Sequence, residues 1–381
     1  MRKLFWFIIL TTVLFSCNKH HDVMAPASTQ PDIYIAGLEF VGNSPYPIAT
    51  YWKNGAAVHL TDGTVLAEAH GIAVSGNDVY VVGREGDKAM LWKNGVPTIL
   101  SSDLYNTYNA TAIAISGNDV YVAGTETGTY NPFPIPNFSH TVALYWKNGV
   151  PTNLSGDTIG SEAYSIAVSG NDVYVAGYSW EPAKMLAGCE INNQCEHYEE
   201  AVYWKNGVPV FLSNGITQQA QAAAIALSGQ DVYVSGNIMY DINSLNSGNQ
   251  PWYWKNGTIT HLSDDGAIDV VAKSIVASGT DVYVLGESQV FYNSSVGYNV
   301  IAFYWKNGVV VPFAGQALYA SGIANAFAVS GNDLYSIGNM FYLTPTSFSG
   351  DAPKCWKNNS AIMTIDSTSA ASLNAICLVK K

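Results

Sequence analysis

Short apolar runs alternate with tight polar segments along most of the chain. The run over residues 173–176 is typical, because its β-branched and aromatic residues favour a strand. Apolar residues occupy consecutive positions in these runs, so both faces of the resulting sheets need to be covered. After the N-terminal segment, no stretch keeps a helical 3.6-residue apolar period over three turns. The pattern predicts an all-β chain.

Two repeated phrases separate these runs. The tetrapeptide Trp-Lys-Asn-Gly recurs with Trp at positions 52, 92, 146, 204, 254, 305 and 356, and its last copy ends in Asn359 instead of glycine. Near copies of Ser-Gly-Asn-Asp begin at Ser75, Ser116, Ser169, Ser228, Ser278 and Ser330. Asn-Gly predicts a two-residue hairpin turn, because both central residues need positive φ. The second phrase predicts another tight turn, since Gly and Asn tolerate that conformation. Each repeat therefore predicts four antiparallel strands.

The repeats predict a closed ring. Sheets arranged radially cover one another, whereas an open solenoid needs polar caps at its ends. The first repeat begins at Asp32 with what matches a second strand, and its missing first strand matches residues 373–378. We therefore predict a seven-bladed β-propeller of four-stranded antiparallel blades. The C-terminal strand completes the first blade and closes the ring.

The repeat pattern resembles the broad propeller superfamily of WD-repeat, kelch and YVTN-type proteins. It lacks the Gly-Gly pair of kelch repeats and the Trp-Asp dipeptide of WD repeats. It is also similar to repeat-containing lipoproteins of the Bacteroidetes. The resemblance covers residues 32–381 and implies the fold without implying a particular chemistry.

The N-terminus has the pattern of an export signal. Arg2 and Lys3 precede an apolar run over residues 4–15, which is typical of a signal peptide. The run ends in Leu-Phe-Ser-Cys, which resembles a bacterial lipobox with Cys17 as the lipidated residue; an ordinary secretory signal is the alternative. We predict a signal peptide at 1–16, a lipidated cysteine with polar tether at 17–31 and the propeller at 32–381. The expected location is the cell envelope, at the outer membrane, on either face.

The remaining cysteines and acids predict no cofactor. Cys189 and Cys195 lie in the longest insertion and predict a disulfide. Cys355 and Cys377 replace residues of sister repeats and are expected to be buried thiols. No spacing of Cys and His is typical of a zinc site. Ca²⁺ is compatible with the acidic charge, but no motif supports it.

Loop lengths and charge distinguish the two ends of the predicted sheets. Both short turns lie at one end, the short-turn end, and the variable connections lie at the other, the long-loop end. Of the 29 Asp and Glu and 17 Lys and Arg, about 21 acids and five bases fall at the long-loop end. This field repels nucleic acid and anionic lipid and suits a cationic partner, a neutral ligand or Ca²⁺. Solubility is an equal explanation, and we expect a monomer.

Two residue sets are candidate ligand contacts. Loop aromatics stack on sugars or anchor protein interfaces, unless they pack the loops onto the sheets; the candidates are Trp180, Trp252, Tyr130, Tyr240 and Tyr292. One column of the predicted first strands is polar and varied between small neighbours: His70, Thr111, Tyr164, Lys273, Asn325 and Asn374, with Ala223 in the remaining repeat. If the first strands are innermost, this column surrounds the channel mouth and forms a ligand site. The alternative is that it only hydrates the channel.

Catalytic motifs are missing from the sequence. It contains no Gly-x-Ser-x-Gly, phosphate loop, His-Glu-x-x-His or EF-hand pattern. We therefore expect a non-catalytic envelope module that binds glycan or protein at the long-loop end. A glycan-active hydrolase or lyase is the first alternative, with Glu68 and His70 or Glu162 and Tyr164 at the channel mouth. A structural subunit of an envelope complex is the second.

Overall fold

The computed structural model describes residues 30–128, 140–156, 160–180, 199–213, 219–239, 248–263, 268–293, 297–313, 320–344, 347–350, 353–358, 360–365 and 371–380. These residues form strands β1 to β29 and no helix, as the apolar pattern predicts. Accordingly, the described residues include no helix that is long and apolar enough to span a membrane.

The strands form six sheets. The first contains, in spatial order, β29 (Ala371–Val379), β1 (Asp32–Glu39), β2 (Ile48–Lys53) and β3 (Ala56–His59). The second contains β4 (Ala67–Ser75), β5 (Asp78–Glu85), β6 (Lys88–Lys93) and β7 (Val96–Ser101). The third has eight strands: β8 (Asn106–Ser116), β9 (Asp119–Gly128), β10 (His140–Lys147), β11 (Val150–Asn153), β12 (Gly160–Ser169), β13 (Asp172–Trp180), β14 (Glu200–Lys205) and β15 (Val208–Phe211).

The other three sheets repeat this order. The fourth contains β16 (Gln219–Ser228), β17 (Asp231–Met239), β18 (Asn249–Lys255) and β19 (Thr258–His261). The fifth contains β20 (Ile268–Ser278), β21 (Asp281–Asn293), β22 (Gly297–Lys306) and β23 (Val309–Pro312). The sixth contains β24 (Ala320–Ser330), β25 (Asp333–Thr344), β26 (Ser347–Gly350), β27 (Lys354–Lys357) and β28 (Ser360–Thr364). We call β29, β4, β8, β12, β16, β20 and β24 the inner strands.

Each inner strand carries a bulge, and beside six of the seven a glycine of the next strand accommodates it. The register of β12 against β13 shifts between Ala163 and Ser165, so Tyr164 is an extra residue. A Cβ atom on Gly177 would overlap the carbonyl oxygen of Glu162. Equivalent contacts meet a Cβ at Gly37, Gly83, Gly124, Gly236 and Gly286. These strands therefore need glycine at this position because of a backbone contact.

The repeated tryptophans fill the sheet interiors. Six of them are 0–1% exposed: Trp52, Trp92, Trp146, Trp204, Trp254 and Trp305. The ring of Trp305 also occupies the space that a Cβ on Gly286 would need. The sheets pack face to face, so Tyr34 of β1 and Val81 of β5 share one apolar cluster. Packing on both faces is what the uninterrupted apolar runs predict.

The repeated polar residues meet at the short-turn end. Asn206 accepts a hydrogen bond from Val173 N and donates one to Asp172, both at 2.8 Å. Lys205 lies 3.0 Å from Asp172 and 5.2 Å from the ring centre of Tyr174. The Asn–Asp bond recurs at Asn54, Asn94, Asn148, Asn256, Asn307 and Asn358. The repeat thus joins its two turns through side chains.

The predicted Asn-Gly turn geometry is confirmed. The asparagines have φ of 47–52° and the following glycines 81–87°. In the Ser-Gly-Asn-Asp turns, only the glycine has positive φ, at 58–63°. Asparagine supplies a left-handed residue in one turn type, and glycine alone does so in the other.

The C-terminal strand pairs with the first strand of the chain, as predicted. β29 runs antiparallel to β1, with Ile376 opposite Ile35. It also contacts β4 and β24, which belong to the sheets on either side. Leu373 is fully buried in the cluster that contains Ile35 and Tyr335. The described sheets form a β-propeller in which residues from both ends of the chain share one sheet.

Deleting residues 371–381 should strongly destabilise the fold, because β1 loses its partner strand and the buried side chain of Ile35 becomes exposed. Leu373→Ala is the milder test and should cost about 2–5 kcal/mol of unfolding free energy. Thermal and chemical denaturation would measure both. Deletion of Lys380 and Lys381 alone is the control and should leave stability unchanged. A 371–381 deletion that melts like the parent chain would contradict this role of β29.

Two substitutions of Asn206 separate the contribution of its side-chain hydrogen bonds from that of its left-handed backbone conformation. Asn206→Gly keeps the left-handed turn but removes two hydrogen bonds, which should cost about 1–2 kcal/mol of unfolding free energy. Asn206→Ala also strains the backbone and should cost about 1–2 kcal/mol more. Chemical denaturation gives both values. If the two variants were equally stable, backbone conformation would not be what selects asparagine here.

Candidate functional site

The predicted channel-mouth column coincides with the bulges of the inner strands. The register shifts skip His70, Thr111, Tyr164, Ala223, Lys273, Asn325 and Asn374, one in each inner strand. We call these the bulge residues. A bulge reorients one side chain and frees its neighbouring backbone groups from the ladder. The polar, varied column therefore has a structural cause that its sequence position alone does not show.

Four bulge residues connect neighbouring runs of four strands, which are separate sheets except for β8–β11 and β12–β15, joined in the eight-stranded sheet. Each donates a hydrogen bond to the carbonyl that precedes the next bulge residue. These are Asn374 to Ala69 O (2.9 Å), His70 Nδ1 to Ala110 O (3.1 Å), Thr111 to Ala163 O (2.8 Å) and Asn325 to Leu373 O (2.6 Å). We call them the inter-sheet hydrogen bonds. They satisfy carbonyls that the bulges leave free, so these four residues have a clear role in the fold.

The row of inter-sheet hydrogen bonds is interrupted at three consecutive bulge residues. Among the described residues, Tyr164 and Lys273 form no such bond, and Ala223 has no side-chain donor. Asn237 of β17 replaces Ala223 by donating to Ala272 O at 3.0 Å. Lys273 instead pairs with Glu287 at 2.8 Å. The interruption places unusual side chains where the repeat otherwise requires a structural bond.

A cavity of about 200 Å³ lies beside this interruption, at the long-loop end. Polar side chains dominate its lining, which consists of Glu199, Gln219, Gln221, Asn237, Asn249, Met239, Ala220 and Val271. Seven of these residues lie on strands of the fourth and fifth sheets, and Glu199 directly precedes β14 of the third sheet. The cavity is therefore a recess bounded mainly by strand residues.

Two carboxyl groups and two tyrosines adjoin the cavity. Gln221 donates a hydrogen bond to Glu199, and Glu162 hydrogen-bonds with Tyr164 and Tyr178. Burial raises the pKa of Glu199, and the charge of Glu162 adds to the rise, while the Gln221 bond opposes it. Burial likewise raises the pKa values of both tyrosines, with Glu162 as the next cause. Negative charge is poorly compensated here.

The equivalent carboxylate of the second sheet has a different environment. Glu68 lies 3.2 Å from His70 Nε2 and 3.0 Å from Arg84 Nε. The bond from His70, followed by those from Arg84, lowers the pKa of Glu68 to about 2 despite partial burial. The two ring nitrogens of His70 face Ala110 O and Glu68. Glu68 is therefore ion-paired with Arg84 and hydrogen-bonded to His70.

Two of the five candidate aromatics, Trp180 and Trp252, have described side chains. Trp180 ends β13 and lies over Gly160, where its ring occupies the space of a Cβ atom. Trp252 packs edge-on against His261 at 4.6 Å between ring centres, and its indole nitrogen is buried. Both are half-buried. Tyr130 and Tyr240 lie outside the described residues, as does the side chain of Tyr292. A ligand role for these five residues stays a prediction.

Two of the five cysteines lie within the described residues and three lie outside them. Cys17, Cys189 and Cys195 lie outside the described residues, so lipidation and the disulfide stay predictions. Cys355 is a buried free thiol and Cys377 a partly buried one. Burial raises the pKa of both thiols, to about 12 for Cys355. In the described part of the chain, no group of three or more His, Cys, Asp or Glu residues is arranged to hold a metal ion.

Sequence reasoning missed the residues that line the cavity. Gln221 and Asn237 flank the fixed repeat positions, but amides in loops and strand ends are common and carry no motif. The signal that was available is Ala223, the one bulge residue without a polar group. Its missing donor could have directed attention to Asn237 on the neighbouring strand.

Comparison with solved structures finds propeller-containing proteins. The chain is similar to a puromycin-hydrolysing peptidase of Mycobacterium tuberculosis, with a TM-score of 0.50 and 11% identity over 83% of this chain and 53% of the peptidase. It is also similar to the β-propeller domain of the Trilobed protease from Pyrococcus furiosus, with a TM-score of 0.42, 11% identity and coverage of 83% and 95%. A variant of the Synechocystis apocarotenoid oxygenase gives a TM-score of 0.45, 10% identity and coverage of 90% and 89%.

The likeness to the peptidase shows the fold alone, because the identity is only 11%. The chain spans about half the length of the peptidase, whose coverage is 53%. No protein-family model and no curated protein matches the sequence. The case for a functional site therefore depends on the geometry of the cavity.

The Glu68 cluster generates a pH-dependent prediction. A pKa lowered from 4.5 to about 2 means that ionised Glu68 stabilises the fold above its unfolded-state pKa. That contribution is lost as the pH falls from 4.5 towards 2. Glu68→Gln should therefore cost about 1–3 kcal/mol of unfolding free energy at pH 7 and much less at pH 3. Urea denaturation at both pH values tests this, with Glu85→Gln on the neighbouring strand as the control. A cost that is unchanged at pH 3 would contradict the ion pairing.

Proposed function

We propose that this chain is a non-catalytic binding module of the cell envelope that recognises a glycan at the long-loop end of a seven-bladed β-propeller. The observation that carries the proposal is the polar cavity at the interruption of the inter-sheet hydrogen bonds. Here the repeat departs from its own pattern at one place. Such a departure is an advantage to a repeat protein if that place has a role other than stabilising the fold. Loops and strand ends on a rigid ring are where binding sites occur.

Strand order supports the count of seven blades. The eight-stranded sheet consists of two runs of four consecutive strands, joined by the single parallel pair Thr141 and Gly160. The inner strands contact one another in the order β29, β4, β8, β12, β16, β20, β24 and again β29. A ring of seven blades has this order of neighbours.

The chemistry of the cavity favours a ligand rich in hydroxyl groups. Its amide and carboxyl side chains both donate and accept hydrogen bonds, as the hydroxyls of a sugar require. Met239 adds an adaptable apolar contact to the lining. Tyr164 and Tyr178 lie beside it with ring centres 6.0 Å apart. Ser179 pairs with Glu200, so Trp180 ends its strand at the same edge as Glu199.

The N-terminal sequence supports the proposed location in the cell envelope. The basic and apolar pattern of residues 1–16 fits a signal peptide, and Cys17 fits a lipid anchor followed by a polar tether to residue 31. We place the protein at the outer membrane as a monomer that contacts the membrane through this lipid. The acidic long-loop end argues against nucleic acid as a partner.

A glycan hydrolase is the second candidate, because two carboxyl groups adjoin the cavity in different environments. The raised pKa of Glu199 suits a proton donor, and Glu162 would be the second carboxylate. Turnover of a bound glycan that is lost in Glu162→Gln would favour this candidate over simple binding. A structural subunit would instead bury the long-loop end against a protein and bind no sugar.

A glycan array tests the proposed function. The purified full-length chain should bind a set of glycans, and Gln221→Ala should weaken binding about tenfold, because it removes a hydrogen-bonding side chain from the cavity. Trp180→Ala should weaken it if the ligand extends along β13. Tyr105→Ala is the control, since this side chain is 83% exposed on another loop at the same end. An array with no binding would contradict the proposal and favour a protein partner.

A further inference from the structure

Carboxylates of the described residues that are partly buried mostly have basic partners. Examples are Glu68 with Arg84 at 3.0 Å, Glu287 with Lys273 at 2.8 Å, and Glu39 with His59 at 3.2 Å. The repeated Asp residues are likewise paired with the repeated Lys residues. Pairing of this kind offsets the cost of removing a carboxylate from water.

Glu199 and Glu162 depart from this rule. Gln221 donates to Glu199, and Tyr164 and Tyr178 hydrogen-bond with Glu162. No Lys, Arg or His within the described ranges forms an ion pair with either carboxylate. Within the described ranges, these two acids thus share one region without a Lys, Arg or His partner, although each accepts hydrogen bonds from neutral groups. A carboxylate can accept more hydrogen bonds than these groups supply.

The cavity makes one of these two carboxylates accessible to a ligand. Glu199 is among its lining residues, and the side chains around it are amides, Met239 and alanine or valine. Its volume of about 200 Å³ is below the ~300–1,000 Å³ of pockets for drug-sized ligands. It is therefore suited to a single sugar residue or to one substituent of a larger glycan.

We propose that this cavity binds the protonated amine of an amino sugar, with Glu199 as the ion-pair partner. The inference rests on the proposed glycan-binding function and names the class of glycan. The ammonium group donates three hydrogen bonds and supplies the missing positive charge, while Gln221 and Asn249 face the sugar hydroxyls. An acetylated amine carries no charge, so it can donate one hydrogen bond but forms no ion pair with the carboxylates.

The proposal also fixes the direction of pH dependence. Glu199 must be ionised, and its raised pKa means that it protonates at a higher pH than an ordinary glutamate. The groups that face it are Glu162 and Tyr164 of β12, Tyr178 of β13 and Gln221 of β16. None of these described groups supplies a positive charge. Because the ion pair needs an ionised carboxylate, the preference for the amine should be lost once the pH falls below the pKa of Glu199.

Isothermal titration calorimetry with three probes tests the inference on the full-length chain. The probes are a glucosamine tetrasaccharide, the corresponding N-acetylglucosamine tetrasaccharide and n-butylammonium chloride. At pH 7 the free amine should bind about tenfold or more tightly than its acetylated twin, as a charge-assisted bond of about 1.4 kcal/mol implies. Glu199→Gln should remove that preference.

Glu126→Gln is the matched control, because Glu126 also accepts a hydrogen bond from a side-chain amide, that of Asn106 at 2.9 Å, but in another part of the ring. It should keep the parent's preference. Equal binding of both tetrasaccharides, or a preference that survives in Glu199→Gln, would overturn the inference and leave glycan binding intact. Binding of n-butylammonium alone would support the amine site and contradict glycan recognition. No binding of any probe would overturn the inference, and the glycan array would then decide the proposed function separately.

Discussion

The bulge in each inner strand is the constraint on which the rest of this structure depends. It forces a glycine onto the neighbouring strand, because a Cβ there would meet a backbone carbonyl. The glycine in turn leaves room for the ring of a buried tryptophan from the third strand, as at Gly124 and Trp146. The bulge also frees a carbonyl, which at four positions the preceding bulge side chain satisfies from the neighbouring inner strand. Sheet curvature, core packing and contact between sheets therefore share one local cause.

The same constraint explains why the candidate site lies where it does. A residue at a bulge either forms an inter-sheet hydrogen bond or is released from that role. Asn374, His70, Thr111 and Asn325 form the bond, whereas Tyr164 lies between two carboxylates instead. Asn237 forms the hydrogen bond to Ala272 O that Ala223 cannot form. The ring therefore keeps this bond although the side chain at the bulge is different. The stability that the repeat supplies elsewhere allows this local exception.

The sequence could predict the fold closely because its signals are local. Asn-Gly requires a left-handed pair, and Asn206 and Gly207 have it. The match of residues 373–378 to a first strand required no knowledge of tertiary contacts, and β29 pairs with β1 accordingly. The site was less accessible. Gln221, Asn237 and Glu199 are far apart in sequence and meet only through the ring. The column at His70 was visible as a pattern, but the bulge that produces it depends on register between strands.

The two ends of the ring differ in how their charges are arranged. At the short-turn end, Asp172, Lys205 and Asn206 satisfy one another, and the same network recurs in the other sheets. Such pairing makes that end nearly neutral at short range and structurally fixed. The net charge of −12 is therefore expressed mainly at the other end. The sequence assigns most of the remaining acids to that end, where their field would attract cations within the screening length, and Glu199 adds a partly buried carboxylate there. Both contributions have the same sign, which is why we propose a cationic group as the ligand of this cavity.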